Sequence, residues 1–356
     1  MKKVGIVTIT NGPDNYGNIL QNLAVQYILK EIEYDSETIR NFSYMEHRQN
    51  SLYLIPKFIF NRRRAVKSIK FLRFSKKHIQ YSPMKVTRKN FPDKLLLERY
   101  YKFICGSDQI WNPEYGFNHN WDFNLLKFAK SNQKIAFAAS FGIDALTKED
   151  ERIFANGLSD FYAISVREVS AVEIVKNAAN ITPIVLLDPT MILSKGQWQK
   201  YCKTVKILKG KKFILKYILG YSNENVNECI DQIQNQYNEE VEVIDLMDET
   251  SKYYSMGPDE FLWLIHNAFI VLTDSYHATV FSILFHKLFV VVERSGENKK
   301  TFGRLETLLS QFRLENRVYS KVNKCSLLSP VNFEYVDSIL KHEKDKTIAF
   351  LRTALK

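Results

Sequence analysis

Short apolar runs recur along this chain, and most end in a cluster of small and polar residues that leads into a stretch of helical length. Val4–Thr10, Thr38–Phe42, Tyr101–Cys105, Lys134–Ala139, Tyr162–Val166 and Ile184–Leu187 read as strands. Between them, Asn18–Glu31 carries Leu20, Leu23, Ala24, Tyr27 and Ile28 at spacings of three and four, and reads as a helix. Leu95–Tyr100, Lys148–Leu158 and Ser170–Asn177 read likewise. Strands separated by helices pair as parallel neighbours, because a parallel pair needs a crossover and a helix is the usual one. After Asp188 the pattern restarts. Strands are expected at Lys212–Tyr217, Val241–Leu246, Phe269–Thr273 and Leu288–Val292. Helices are expected at Glu224–Tyr237, Pro258–His266, Ser275–Phe285 and Thr301–Gln311, with a long amphipathic helix over Phe333–Leu355. The predicted fold class is α/β: two Rossmann-like domains with parallel sheets, over 1–195 and 196–330, then a C-terminal helix over 331–356. The active site is expected in the cleft between the domains.

The 356 residues suit two domains, and 45% hydrophobic content with 13% aromatic is enough to fill two cores. Cys105, Cys202, Cys229 and Cys325 are far apart and form no CxxC pair, so neither a disulfide framework nor a zinc ribbon is signalled. They read as reduced thiols of a cytoplasmic protein. The N-terminal apolar run, Val4 to Ile9, is too short for a secretory signal and has no small-residue cleavage site after it. The most apolar region, Phe261–Val292, is interrupted by His266, Asn267, Thr273, Asp274, Ser275, His277 and His286, so no membrane span is expected.

The net charge of +11 is concentrated. Between Ser51 and Pro92 there are twelve Lys and Arg and no acidic residue, which accounts for the whole excess. Over 54–77 the basic residues interleave with Leu54, Ile55, Phe58, Ile59, Val66, Ile69, Leu72 and Phe74, several at helical spacing. Such a helix either packs on its own domain with a solvated basic face or rests on an anionic membrane surface, each basic residue there adding about 1 kcal/mol. Nucleic acid is disfavoured, because no recognition motif accompanies the charge.

In open parallel sheets, ligands sit at the carboxyl ends of strands. Asn15–Asn18, Ser107-Asp108-Gln109, Ser140, Arg167-Glu168 and Asp274-Ser275-Tyr276-His277 all follow expected strands. Each has a plain structural reading: Asp108 as a helix cap, Asp188 as a turn residue before proline, His277 as a core histidine. Five such clusters at strand ends favour a ligand site. Asp274 or Ser275 is placed to cap the following helix, with His277 in its first turn, where the positive end of the dipole favours anions. A histidine there can hold a phosphate or protonate a substrate near neutral pH. Arg167 has the chemistry to clamp a phosphate or carboxylate through two parallel hydrogen bonds. GxxxxGK[ST], GxGxxG after the first strand, HExxH and GxSxG are all missing, so the usual nucleotide, dinucleotide, zinc-protease and serine-hydrolase readings lack their motif.

Taken together the clusters resemble the polysaccharide pyruvyl transferase family. Gly17-Asn18-Ile19-Leu20-Gln21-Asn22 is similar to its N-terminal G-N-x-L-Q motif. Gly106 to Pro113, Ser140-Phe141-Gly142, Ser165 to Glu168, Leu187 to Thr190 with Trp198, Asp274 to Ser282, and Arg304 to Leu309 before Arg317 follow in the family's order. The resemblance covers about residues 1–320 and leaves out the basic segment and the C-terminal helix. It implies a GT-B-like fold and transfer of the enolpyruvyl unit of phosphoenolpyruvate to two hydroxyls of a saccharide, polymeric or lipid-linked, without metal or cofactor. Arg167 and His277 match donor-contacting positions, and Lys299 or Lys300 match a lysine some twenty residues past the histidine. Asp108 or Asp14 would orient or deprotonate the acceptor. Asn15, Gly17, Asn18, Gln21, Ser107, Gln109, Trp111, Asn112, Ser140, Glu168 and Ser275 complete the expected substrate-binding set. Some branches of the family carry Arg-x-His where this chain has Ser275-Tyr276-His277, so another cation is required here.

Two other readings share parts of this pattern. A GT-B glycosyltransferase would bind a nucleotide sugar and ignore phosphoenolpyruvate. A non-catalytic, membrane-associated assembly component would depend on Arg62, Arg63 and Arg64 and not on His277. The expected location is cytoplasmic, including the inner face of the membrane.

Overall fold

The computed structural model describes residues 2–10, 14–42, 61–87, 89–115, 120–220, 224–237, 241–294, 302–322 and 327–356. Lys299, Lys300, Cys325 and residues 54–60 of the basic segment lie outside the described residues. The chain divides into two compact units, one of residues 1–55, 75–192 and 343–356, the other of 56–74 and 193–342.

The first unit is built on strands β1 (Lys3–Val7), β2 (Asp35–Asn41), β3 (Tyr81–Val86), β4 (Lys102–Cys105), β5 (Lys134–Ala139), β6 (Ala163–Val166) and β7 (Ile184–Val185). They form one parallel sheet in the order β3-β2-β1-β4-β5-β6-β7. Helices α1 (Tyr16–Glu31), α2 (Arg62–His78), α3 (Asp93–Arg99), α4 (Lys148–Leu158) and α5 (Val169–Ala179) follow β1, β2, β3, β5 and β6 in the chain, residues 62–74 of α2 belonging to the second unit. Strands covered on both faces read as continuous apolar runs, and every residue of β4 and β5 is buried. Around them Trp111, Phe123, Phe141 and Phe154 form the centre of an aromatic core.

The order reverses between β1 and β4. Chain neighbours run outward from β1 on one side and from β4 on the other, which opens a crevice at their carboxyl ends. Val7 pairs with Cys105, so Thr8 and Gly106 leave the sheet side by side.

The second unit carries β8 (Phe213–Tyr217), β9 (Glu242–Asp245), β10 (Ile270–Thr273) and β11 (Leu288–Val291), with helices α6 (Glu224–Tyr237), α7 (Pro258–Asn267), α8 (Tyr276–Leu284), α9 (Gly303–Gln311) and α10 (Phe333–Ala354). Its parallel sheet runs β11-β10-β8-β9, with its own reversal between β8 and β10. Thr273 pairs with Tyr217 on one side and Val291 on the other, so three strands end level.

The described part of the basic segment is not helical throughout. The helix is Arg62–His78, and an unexpected strand, β3, follows it. β3 is an edge strand, the one place in a sheet where Pro83 costs no ladder hydrogen bond to a second neighbour. Nor are all the cations of α2 solvated. In the second unit Lys70 Nζ lies 2.6 Å from Glu260 Oε2, and buried Lys67 sits 4.7 Å over the Tyr254 ring. Arg62, Arg63, Arg64, Arg73, Lys76 and Lys77 remain exposed.

The end of α10 docks in the first unit. Tyr34 and Tyr101 hydroxyls donate to the carbonyls of Leu355 (2.8 Å) and Lys356 (2.7 Å), and Lys102 Nζ donates to Ala354 O at 2.7 Å. Cations and donors at a helix C-terminus satisfy carbonyls that the helix itself leaves open. Among the described residues no helix is long and apolar enough to cross a membrane.

Candidate functional site

The reversal point of the first sheet holds a buried polar network. Gly106, at φ +117°, takes a conformation open to glycine, and a Cβ there would collide with the Phe137 carbonyl. The chain then turns through Ser107 and Asp108, the latter in the left-handed region at φ +63°. Asp tolerates that region better than most residues, and its use at a strand end marks a position held by its surroundings. The next strand bends to meet it. Ala138 also has positive φ (+46°), and the β5–β6 register shifts there. The bulge presents Ala138 O to Ser107 Oγ at 2.9 Å.

Charge is matched inside the network. Arg167 is buried, its Nη1 2.7 Å from Asp188 Oδ2 and its Nη2 3.4 Å from Asp108 Oδ1. Asp188 also accepts from Ser107 Oγ (3.1 Å), Thr190 N (2.9 Å) and Thr190 Oγ1 (2.6 Å). Asp108 Oδ1 takes the Gln109 N–H as well, at 2.9 Å. Among the described residues Asp108 Oδ2 accepts no hydrogen bond. Gln21 closes the network from α1, donating to Thr8 Oγ1 at 2.7 Å and accepting from Ser107 N at 3.2 Å.

The remaining positions expected in this unit fall into three groups. Asn15 caps α1, its Oδ1 accepting from Gly17 N (2.8 Å) and Asn18 N (3.3 Å), with Asp14 half-buried beside it. Glu168 Oε1 gathers Ser140 Oγ, Phe141 N and Gly142 N at 2.9, 2.8 and 3.1 Å, and so fixes the loop after β5. Gln109 accepts from Asn112 Nδ2 and donates to Tyr115 OH, both at 2.8 Å. Trp111 stands apart from the rest of the expected set. Its ring is fully buried against Phe141, Phe154 and Phe161 and its Nε1–H donates to Asn124 O, so in this structure it packs within the core.

At the reversal point of the second sheet an aspartate again does the holding. Asp274 Oδ1 accepts from Leu219 N (2.7 Å), and Oδ2 from Gly220 N (2.8 Å) and Arg294 Nε (2.8 Å). One carboxylate thus ties the ends of β8, β10 and β11. A Cβ at Gly220 would stand 3.2 Å from Asp274 Oδ2 and 3.4 Å from Arg294 Cγ, a spacing that only glycine leaves comfortable. Of the two expected capping residues Ser275 is the one used. It accepts from Ala278 N at the start of α8, while Asp274 turns sideways. His277 stands in the first turn of α8, buried, its ring near-perpendicular to that of Tyr276. Burial, and next the Asp274 charge, push the nearby Tyr217 phenol upward and keep it neutral.

Sequence reasoning had not singled out Asp188 beyond a turn, nor Arg294 at all. Arg294 follows the apolar run Leu288–Val292 closely, the same signal that marks the other strand ends.

A family model described as polysaccharide pyruvyl transferase matches residues 15–296. This chain belongs to the polysaccharide pyruvyl transferase family. The match includes both reversal-point clusters, and family membership makes the chain a transferase acting in polysaccharide pyruvylation. Among solved structures the UDP-GlcNAc 2-epimerase from Methanocaldococcus jannaschii is similar over 96% of this chain and 92% of that one, at 12% identity and TM-score 0.52. The UDP-GlcNAc 2-epimerase from Neisseria meningitidis bound to UDP-GlcNAc is similar over 96% and 99%, at 10% identity and TM-score 0.46. The first likeness speaks for the fold alone, and with the two parallel sheets it makes this family member an α/β protein of GT-B type. No curated protein matches the sequence.

Proposed function

We propose that this family member transfers the enolpyruvyl group of phosphoenolpyruvate to two hydroxyls of a saccharide, forming a pyruvate ketal and releasing phosphate. The observation that carries the donor assignment is the cluster at the level strand ends of the second sheet, with His277 in a helical first turn and Arg294 held by Asp274. Phosphoenolpyruvate is a compact polyanion, which a guanidinium and an imidazolium suit. Arg294 is the cation proposed to answer for Ser275, where other branches of the family carry arginine.

The proposed chemistry has three steps. Protonation of the methylene carbon by His277 gives an oxocarbenium-like centre at C2, and a first hydroxyl adds there as its proton leaves. The C2–O bond to phosphate then breaks, the departing charge being held by Arg294 and the helix dipole. The second hydroxyl adds to the same carbon, loses its proton and closes the ketal.

The acceptor is assigned to the first unit's reversal point, where Asp108 Oδ2 is available as base or orienter. Arg167, already matched by Asp188 and Asp108, holds Asp108 in place in this reading and is not the donor clamp first expected. For a lipid-linked acceptor, the exposed cations of α2 would face anionic headgroups.

Thermal unfolding with and without phosphoenolpyruvate tests the donor. A ligand at about a hundred times its dissociation constant adds about 2.7 kcal/mol, so the midpoint is expected to rise. The rise is expected to be lost in His277→Ala and Arg294→Gln. Stabilisation by a nucleotide sugar in place of phosphoenolpyruvate would overturn the reading. Co-sedimentation with anionic vesicles at low salt, reduced in a variant with Arg62, Arg73 and Lys76 changed to Gln, is the expected outcome for the lipid surface. Failure to co-sediment removes that part alone.

A further inference from the structure

The second unit contains a cavity of about 510 Å³ between the turn after α9 and the start of α10. Its charge is one-sided: Arg313, Arg317 and Lys321 line it and no acidic residue does. Glu315 and Glu334 are near in sequence but are not among the lining residues. Among the described residues none of the three cations has a carboxylate within ion-pair distance. Arg313 instead lies over the Tyr335 ring, 5.2 Å from its centre.

Arg317 is the unusual member. It is only 3% exposed, and burial lowers its pKa from the ordinary arginine value. Its Nε donates to Phe289 O at 2.8 Å and its Nη2 to Leu327 O at 2.9 Å, which braces the 315–317 turn against β11. Its Nη1 makes no hydrogen bond among the described residues, and the side chain lines the cavity. Bracing alone explains two nitrogens of a buried guanidinium and leaves the charge without a counterion. Buried charges in proteins are ordinarily paired.

This is not the carboxyl-edge site. Arg317 reaches back to Phe289, near the start of β11, whereas Arg294 follows that strand's end. Val318 pairs alongside Val291, so the turn carrying Arg317 enters beside the same strand from its amino end.

We propose that this cavity binds a small organic anion, a carboxylate or phosphate monoester, with its charge on Arg317, Arg313 and Lys321 and its apolar flank against Phe312, Val322 and Tyr335. The inference stands independently of the donor proposed above.

Calorimetric titration of the full chain with phenyl phosphate, benzoate and neutral benzamide tests it. One or both anions are expected to bind with a saturable one-to-one isotherm, and the stronger of the two identifies the preferred headgroup. Benzamide is expected not to bind. In the Arg313→Gln, Lys321→Gln double variant, whose changes lie at exposed positions, affinity is expected to fall tenfold or more with the unliganded unfolding midpoint unchanged. His277→Ala is expected to leave the affinity as it was. Equal binding of benzamide, undiminished binding by the double variant, loss of binding in His277→Ala, or no saturable anion binding would each overturn the proposal.

Discussion

Asp188 and Asp108 share one guanidinium, yet they are expected to respond differently to substitution. Asp188 is completely buried and accepts hydrogen bonds from Arg167, Ser107 and Thr190. Asp188→Ala leaves the Arg167 charge poorly matched in the interior, a defect that costs about 3–5 kcal/mol. Urea unfolding should show that loss directly. Asp108→Asn keeps an acceptor at Oδ1 and a side chain of the same shape. Its unfolding midpoint is expected to stay close to that of the parent chain, while ketal formation falls at least a hundredfold if Asp108 handles the acceptor proton. A large loss of stability in Asp108→Asn would instead make it a structural residue. The two aspartates were distinguishable only in three dimensions. In the sequence Asp188 precedes a proline and looks like a turn, and nothing local reveals that Arg167, twenty-one positions earlier, points at it.

At the scale of elements, one side chain of β2 gathers partners from two neighbouring elements. Glu37 takes Lys3 Nζ (2.7 Å), Arg99 Nε (2.8 Å) and Nη2 (2.6 Å), and the Tyr100 hydroxyl (2.8 Å), joining β1, β2 and α3. Burial alone would raise its carboxyl, but the bonds from Arg99, Lys3 and Tyr100 outweigh it and hold the pKa at about 2, against an ordinary 4.5. A depressed carboxylate stabilises the fold fully above its unfolded value and loses that contribution as pH falls through the folded one. The contribution, on the order of 3 kcal/mol, is therefore expected at neutral pH and to disappear between about 4.5 and about 2. Urea midpoints of the parent chain and Glu37→Gln should converge across that window; a constant gap would contradict the assignment. What was legible at this scale follows the same physics. β5, α4 and α6 begin and end where apolar period and flanking polar residues place them, because each is specified by its own sequence. β3 was not legible, since Tyr81–Val86 holds a proline and a lysine and becomes a strand only by pairing with β2. The Lys70–Glu260 pair, 190 residues apart in the chain, is invisible in either local segment.

For the whole molecule, the charge of +11 has two uses that composition alone merges. Lys67 and Lys70 are taken up inside the second unit, while Arg62, Arg73 and Lys76 stay outward, so a membrane reading rests on the latter and not on the full count. The docking of Ala354, Leu355 and Lys356 onto Lys102, Tyr34 and Tyr101 has a different kind of consequence. Ribosomes deliver a chain from its N-terminus, and domains commonly fold as they emerge. Here residues 343–356 belong to the same compact unit as β1 through β7. The seven-stranded unit therefore joins stretches of chain that leave the ribosome at different times, because residues 343–356 follow the whole of residues 193–342 of the second unit. Until those residues arrive the Lys102 ammonium, buried in the finished protein, lies open on the nascent chain, so the seven-stranded unit is completed only after residues 193–342 of the second unit have been made.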